Sequence, residues 1–231
     1  MRDRVRVAAV QMKCRLGDKP ANLAEAEALL SEAAGRDAEI ACLPELFDIG
    51  YDLRALEPSS AFDLAEPVPG GPGDPAGPTV MRLCEVAADL NLAIIAGLIE
   101  RGAAASNVLY DTVVLINRSG EIRGRYRKSH LYPSERALFK PGDELPVFEL
   151  DGLRIGMAIC FEAAFPPIAG TLALAGAQVI FNPSAIPIGY GYLQDLRTRA
   201  RAQDNQIFVV AVNHVGSEGS VTYCGRSQIA D

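Results

Sequence analysis

Three side chains in this sequence are of types that together can open an acyl bond: a thiol, a lysine and a carboxylate. Cys160 ends the apolar run "RIGMAIC", and Glu162 follows two residues later. An ordinary cysteine has a pKa of about 8.5, so it acts as a nucleophile only beside a cation or a base. The run before it is apolar on both faces, as in a central strand, and a helix opened by proline follows, whose positive N-terminal end would favour a thiolate. By itself, a cysteine at a strand end is more often a core residue. In "EIRGRYRK", strand alternation puts Arg123, Arg125 and Arg127 on a solvated face and Ile122, Gly124, Tyr126 and Lys128 on the other. That pattern turns Lys128 inward, where a charge needs a partner; a basic surface patch is the alternative. Glu45 follows the apolar run "IACL" through a proline, a setting that suits a general base or, equally, a structural salt bridge. Spacing alone does not bring the three together.

The elements that must hold them read as α/β. "VRVAAVQM" is a strand, "ANLAEAEALLSEAAGRDA" an amphipathic helix and "EIACLPELF" a second strand, which is a crossover onto a parallel neighbour. Residues 52–78 hold "EPVPGGPGDPAGP" and predict a long surface loop, because proline lacks a donor and glycine is too free. A helix "PTVMRLCEVAADLNL" and a buried strand "AIIAGLIE" follow. "NVLYDTVVLIN" and "EIRGRYRK" form a hairpin, so the sheet is expected to be mixed. The alternation resumes with "DGLRIGMAIC", "PPIAGTLALAGA", "QVIFNPSA", "YLQDLRTRARAQDNQ" and "IFVVAVNHV". The arginines of the last helix, Arg197, Arg199 and Arg201, read as a solvated face with ion pairs.

The 231 residues predict one α/β domain over 1–231. A net charge of -7 argues against non-specific nucleic-acid binding and toward a small-molecule substrate. The longest apolar run, "LAIIAGLI", is too short to span a bilayer, and the chain enters a strand without a leader-like segment, which predicts a cytoplasmic protein with no membrane partner. Five scattered cysteines and two isolated histidines offer no zinc-ligand spacing, so no metal is expected.

The segments "LPELFDIGY" with Glu45, "YRKSHLYPSERALFKPG" with Lys128 and "GMAICFEAAFP" with Cys160 resemble, in that order, the signature segments of the carbon-nitrogen hydrolase (nitrilase) superfamily. "LALAGAQVIFNPSA", "RARAQDNQIFVVAVNHVG" and "YCGRSQIAD" are most similar to the aliphatic amidase branch, including enzymes that resemble 5-aminopentanamidases and stereoselective amidases. The resemblance implies a four-layer α-β-β-α sandwich with mixed sheets, no cofactor, and a homodimer or higher homo-oligomer packed across helices comparable to the arginine-rich one. It implies Glu45 as general base, Cys160 as nucleophile, and Lys128 stabilising the oxyanion with the backbone N–H of Phe161. Glu135 matches a second glutamate near the lysine, and Tyr51, Phe161, Asn182, Ser184 and Ala185 match positions that line the substrate pocket. Glu162 is expected to brace the turn through hydrogen bonds to backbone donors. Two departures stand out. Ala163 and Ala164 occupy positions where many relatives carry an arginine, and the chain stops at "SQIAD", where the family usually continues, so the C-terminal end is expected to be missing. The implied reaction converts a small linear carboxamide to an acid and ammonia. The alternatives are hydrolysis of an N-carbamoyl amine and an inactive binding module of the same fold.

Overall fold

The computed structural model describes residues 4–71, 73–103 and 107–231. Its first sheet runs in chain order through β1 (Val7–Ala9), β2 (Ile40–Cys42), β3 (Ala93–Arg101), β4 (Leu109–Ile116) and β5 (Ile122–Arg127). β1, β2 and β3 are parallel, and β4 and β5 return antiparallel as the expected hairpin. Parallel neighbours need crossovers. The first is α1 (Lys19–Gly35), capped by Asp18, whose carboxylate accepts the Ala21 N–H at 3.1 Å. Between β2 and β3 the chain forms α2 (Pro58–Leu64) and α3 (Pro78–Leu90). The first of these corrects the expected loop over 52–78: Pro58 opens the helix where its missing N–H costs nothing, and Ala61 buries the turn. Ala26 and Leu30 of α1 and Leu83 and Val86 of α3 cover one face of the sheet, against Ile94, Ala96 and Val114.

The second half repeats this plan. β6 (Val147–Leu150) and β7 (Leu153–Met157) form an antiparallel pair; β7 then runs parallel to β8 (Val179–Ser184), and β8 to β9 (Phe208–Asn213). α4 (Pro166–Leu174) and α5 (Gly191–Asn205) make the crossovers, burying Ile168, Leu172 and Ala202 against Ile180 and Val209. After a hairpin of β10 (Val215–Glu218) and β11 (Val221–Cys224), β12 (Gln228–Ala230) closes the sheet edge beside β9, antiparallel. The inner faces of the two sheets meet: Ile95, Val113, Leu115 and Tyr126 pack on Ile155, Met157, Phe181 and Val210. The layers are therefore α-β-β-α, and strands buried on both faces explain the continuous apolar runs in the sequence.

The arginine face of β5 is not uniformly solvated. Arg123 is exposed, but Arg125 and Arg127 lie 3.2 and 2.5 Å from the carboxylate of Glu100 on β3, which is only 1% exposed and also accepts the Thr112 hydroxyl. A carboxylate buried in mid-sheet draws both guanidiniums down onto it. Among the described residues, no helix is long and apolar enough to cross a membrane.

Gly97 on β3 marks a close approach. A Cβ there would lie 2.6 Å from the Pro44 carbonyl oxygen and 2.8 Å from the Glu45 Cα. Gly97→Ala is expected to displace the Glu45 segment, lowering turnover far more than thermal stability; equal losses in a paired activity and melting measurement would contradict this.

Candidate active site

Glu45 leaves the end of β2 in a tight turn. Leu46 takes a left-handed φ of 46° and Phe47 donates its N–H to the Gly97 carbonyl at 3.0 Å, so the glutamate is driven beneath the sheet end, fully buried. Lys128 follows β5 with its side chain on the inward face, as the alternation requires, and is also fully buried. Its Nζ donates to Glu45 Oε1 at 2.5 Å and Glu135 Oε1 at 2.6 Å, and stands 3.3 Å from Asp111 Oδ2. Glu135 sits in a single 3-10 turn over Glu135–Ala137; it also accepts the Tyr51 hydroxyl and, at 2.8 Å, the Tyr132 N–H. Glu135 is wholly inside.

Three carboxylates around one ammonium cannot all be ionised cheaply. Burial, partly offset by Lys128, raises the Glu45 pKa; burial also raises that of Asp111, whose neighbours Glu45 and Glu135 add to the effect. The lysine stays charged, because these acids outweigh its own burial. Oxygens of Glu45, Asp111 and Glu135 lie within 4.8 Å of one another, but the cation they share is Lys128. Glu45 Oε2 meets no N–H or hydroxyl, and the Asp111 carboxyl, itself pushed toward the protonated form, is the neighbour with which Glu45 can share a proton. Asp111 was missed in the sequence; its signal was an aspartate inside the apolar run "LYDTVVLI".

Cys160 comes from the other sheet, three residues beyond β7, and opens a 3-10 turn over Cys160–Ala164 with a left-handed φ of 47°. The turn is braced by buried Glu162. One of its oxygens accepts the Ile159 N–H at 2.6 Å; the other gathers the Ser129 N–H at 2.8 Å, the Ser129 and Tyr126 hydroxyls at 2.6 Å, and the His130 N–H at 3.1 Å. Glu162 thus ties the Cys160 turn to the segment after Lys128, and no proton-transfer role is needed to explain it. The sulfur is not a resting thiolate, contrary to the expectation from a helix end. α4 begins six residues later, and burial together with the Glu45 charge raises the thiol pKa, with Lys128 and the Ala185 N–H only partly opposing. A thiol in this state becomes a nucleophile only with a base to take its proton.

Cys160 opens into a cavity of about 380 Å³ walled in part by Tyr51, Tyr132, Phe161, Ala185, Ile186 and Tyr223. Of the residues that the resemblance assigned to a substrate pocket, Tyr51, Phe161 and Ala185 line this cavity. Asn182 and Ser184 do not reach the wall. Asn182 Nδ2 donates to the Ala158 carbonyl at 2.7 Å and Ser184 Oγ to Asn182 Oδ1 at 3.1 Å, so both fasten β8 to the strand end that carries Cys160. Polar side chains at a strand end read alike whether they face a ligand or a neighbouring backbone.

A sequence profile of the family described as carbon-nitrogen hydrolase matches residues 6–231. The chain belongs to the carbon-nitrogen hydrolase family. It is 37% identical over 227 residues to a nitrilase of Pyrococcus abyssi, covering 98% of this chain and 81% of that protein. It is 35% identical to an N-carbamoylputrescine amidase of Solanum lycopersicum (97% and 75% covered) and 30% identical to an (R)-stereoselective amidase of a Pseudomonas species (98% and 77%). In structure it is similar to an amidase of the nitrilase superfamily from Nesterenkonia AN1, with a TM-score of 0.83 at 25% identity, covering 97% of this chain and 82% of that one. It is accordingly an amidohydrolase acting on carbon–nitrogen bonds other than peptide bonds.

In this carbon-nitrogen hydrolase, β10 and the residue before it add a support that the sequence did not reveal. His214 Nε2 contacts the Glu45 carbonyl oxygen at 2.6 Å, and Glu218 accepts the N–H groups of Tyr51 and Asp52. His214 is fully buried, and burial lowers its pKa to about 4 from 6.5, so at neutral pH it is an uncharged donor and its 3.7 Å approach to Glu218 is not an ion pair. Cys14, near both, is held protonated chiefly by burial. Between pH 6.5 and about 4 the unfolded chain binds a proton that the folded imidazole refuses, so this group's share of stability falls as pH drops. The share amounts to about 3 kcal/mol. Unfolding of the parent and of His214→Gln by denaturant at both pH values is expected to show a gap that narrows or reverses at the lower one; a constant gap would contradict the assignment.

Proposed function

We propose that this amidohydrolase converts a small linear carboxamide to its acid and ammonia through a thioester on Cys160. The observation that carries this is a thiol open to a cavity beside a wholly buried Glu45–Lys128–Glu135 set. Glu45 takes the thiol proton as sulfur attacks the amide carbon. Lys128 and the Phe161 backbone N–H stabilise the oxyanion, while Glu135 holds the lysine in place. The proton returns to the departing nitrogen, ammonia leaves, and Glu45 then activates the water that opens the thioester. Nothing in this sequence of steps calls on a cofactor.

Similarity to N-carbamoylputrescine amidases and to an amidase whose variant was solved with butyramide supports two substrate types, N-carbamoyl amines and short amides. Ammonia release from butyramide, 5-aminopentanamide, N-carbamoylputrescine and a simple nitrile, run beside Cys160→Ala, tests the reading. Turnover that vanishes in the variant supports the nucleophile, and carbon dioxide release separates the two classes. Silence across the panel from folded protein favours the inactive binding module.

Because burial raises the Glu45 pKa and the base must be ionised to accept a proton, activity is expected to rise with pH along a limb centred above the ordinary value of 4.5. A profile of kcat/KM with its acid limb at or below that value would count against Glu45 as base. On α5, exposed Tyr192 and Leu196, with Ile188 just before it, support packing against a second copy of the chain. A monomeric mass in solution would contradict that.

A further inference from the structure

Behind the cavity wall, three buried side chains from distant segments turn ligand atoms toward one spot. Cys14 lies in the stretch after β1, His214 just before β10 and Glu218 at the end of β10. The residues are 2%, 0% and 4% exposed, and one ligand atom of each lies within 4.8 Å of the others. His214 Nδ1 and Glu218 Oε2 stand 3.7 Å apart, and among the described residues neither has a hydrogen-bond partner.

The other polar atoms of both side chains are tied. His214 Nε2 meets the Glu45 carbonyl oxygen at 2.6 Å; that oxygen only accepts, so Nε2 carries the hydrogen and Nδ1 the lone pair. Glu218 Oε1 accepts the N–H groups of Tyr51 and Asp52, which leaves Oε2 to face the imidazole. Two acceptors that face one another in the interior cost stability until a donor or a cation comes between them. The surroundings favour the cation. A metal-binding imidazole hands its second nitrogen's hydrogen to a carbonyl or carboxylate, and a metal-binding carboxylate is itself hydrogen-bonded; both conditions are met.

We propose that Cys14, His214 and Glu218 form a structural site for a divalent cation of the zinc type. Sulfur, imidazole and carboxylate together suit zinc, whereas calcium and magnesium take oxygen. Two ligand atoms about 2.1 Å from a tetrahedral zinc are about 3.4 Å apart. The 3.7 Å between Nδ1 and Oε2 is close to that. Charge balances as well, because a thiolate and a carboxylate neutralise a divalent ion in an interior where an unbalanced charge is expensive. Burial, with Glu218 and Asp48 adding to it, keeps the Cys14 thiol protonated in the metal-free protein. On binding, the S–H bond breaks, a sulfur–metal bond forms and the proton goes to solvent. A water completes the tetrahedron, and the Tyr223 hydroxyl, buried without a partner beside Glu218, can bond to it. Tyr223 also lines the cavity, and its ring lies 5.1 Å from that of His214, which marks the path by which the ion enters. The ion clamps the β10 hairpin to the segment after β1 and stiffens the bond to the Glu45 carbonyl. It takes no part in the chemistry at Cys160. No ligand spacing betrays the site in the sequence, because Cys14 lies so far along the chain from the other two.

Cobalt(II) is the probe, since a cobalt–thiolate bond gives a charge-transfer band in the near ultraviolet. The chain is titrated folded and is also refolded from denaturant with cobalt present, so that slow entry cannot mask the site. Uptake of about one ion per chain is expected, with release of about one proton and appearance of the thiolate band. Cys160→Ala is expected to keep the band and Cys14→Ala to lose it. Zinc is expected to displace the cobalt and to raise the melting temperature of the parent, but not that of Cys14→Ala. Should Cys14→Ala fail to fold, Glu218→Gln decides: its amide can still accept from Tyr51 and Asp52 and can donate to Nδ1, and zinc affinity is expected to fall at least about tenfold. Refolded parent with less than about a tenth of an ion per chain overturns the site and leaves a buried water between the three side chains. A band that persists in Cys14→Ala, or an affinity unmoved in Glu218→Gln, overturns it too.

Discussion

Lys128→Met is expected to abolish turnover and to cost the fold about 3–5 kcal/mol, the range for removing one partner from a buried ion pair. The size follows from what the ammonium leaves behind. Glu45, Asp111 and Glu135 point oxygens at one spot in the interior, and Lys128 is the charge that makes this arrangement bearable. Without it the acids must hold protons, so the loss should be smaller at low pH, where protonation is cheap. Restoring charge balance gives a second check: Lys128→Met with Glu135→Gln is expected to recover part of the stability and none of the activity. Chemical denaturation and ammonia release read both. A single variant as stable as the parent would mean that the cluster is already neutral.

Glu45→Gln is expected to separate the two effects, with turnover falling about 10²–10⁴-fold and stability staying within about 1 kcal/mol of the parent. The amide has the shape of the carboxylate and can still accept the lysine's hydrogen bond, while one of several crowded negative charges disappears. What is lost is the second carboxylate oxygen, which becomes an N–H₂ and can no longer take a proton. A variant that keeps more than about a tenth of the parent rate, outside the range expected for a general base, would sink the assignment of Glu45.

Much of the framework was legible because period and burial agree. The alternation Ile122, Gly124, Tyr126, Lys128 turns the lysine inward, and the buried side chain follows it. The α2 turn escaped notice because proline and glycine dominate its surroundings, although Pro58 stands where helices accept it. Arg125 and Arg127 looked solvated because their partner, Glu100, lies on a strand two places away in the sheet. The resemblance placed Asn182 and Ser184 among pocket residues; their side chains bond the Ala158 carbonyl and Asn182 Oδ1 instead, a direction that a polar strand end does not reveal in sequence. The gathering of residues 45, 111, 128 and 135 depends on the strand order of the first sheet, and the approach of Cys160 on how the second sheet stacks on it; no local spacing carries either. His214 was hardest to see, since it acts on Glu45 across 169 residues.

The buried carboxylates, lysine and His214 anchor come together from both halves of the sandwich, and so the chemistry doubles as an alignment gauge. Glu45 and Lys128 ride on one sheet and Cys160 on the other, and side-chain packing, the Glu162 tie and the His214 and Glu218 bonds to residues 45, 51 and 52 fix their registration. A slip of one residue along a strand is about 3.3 Å, longer than a hydrogen bond. Changes at Phe181 or Val210, inside the seam and outside the cavity wall, therefore act on catalysis as faults of parallax: every part survives, and the parts no longer point at the same place.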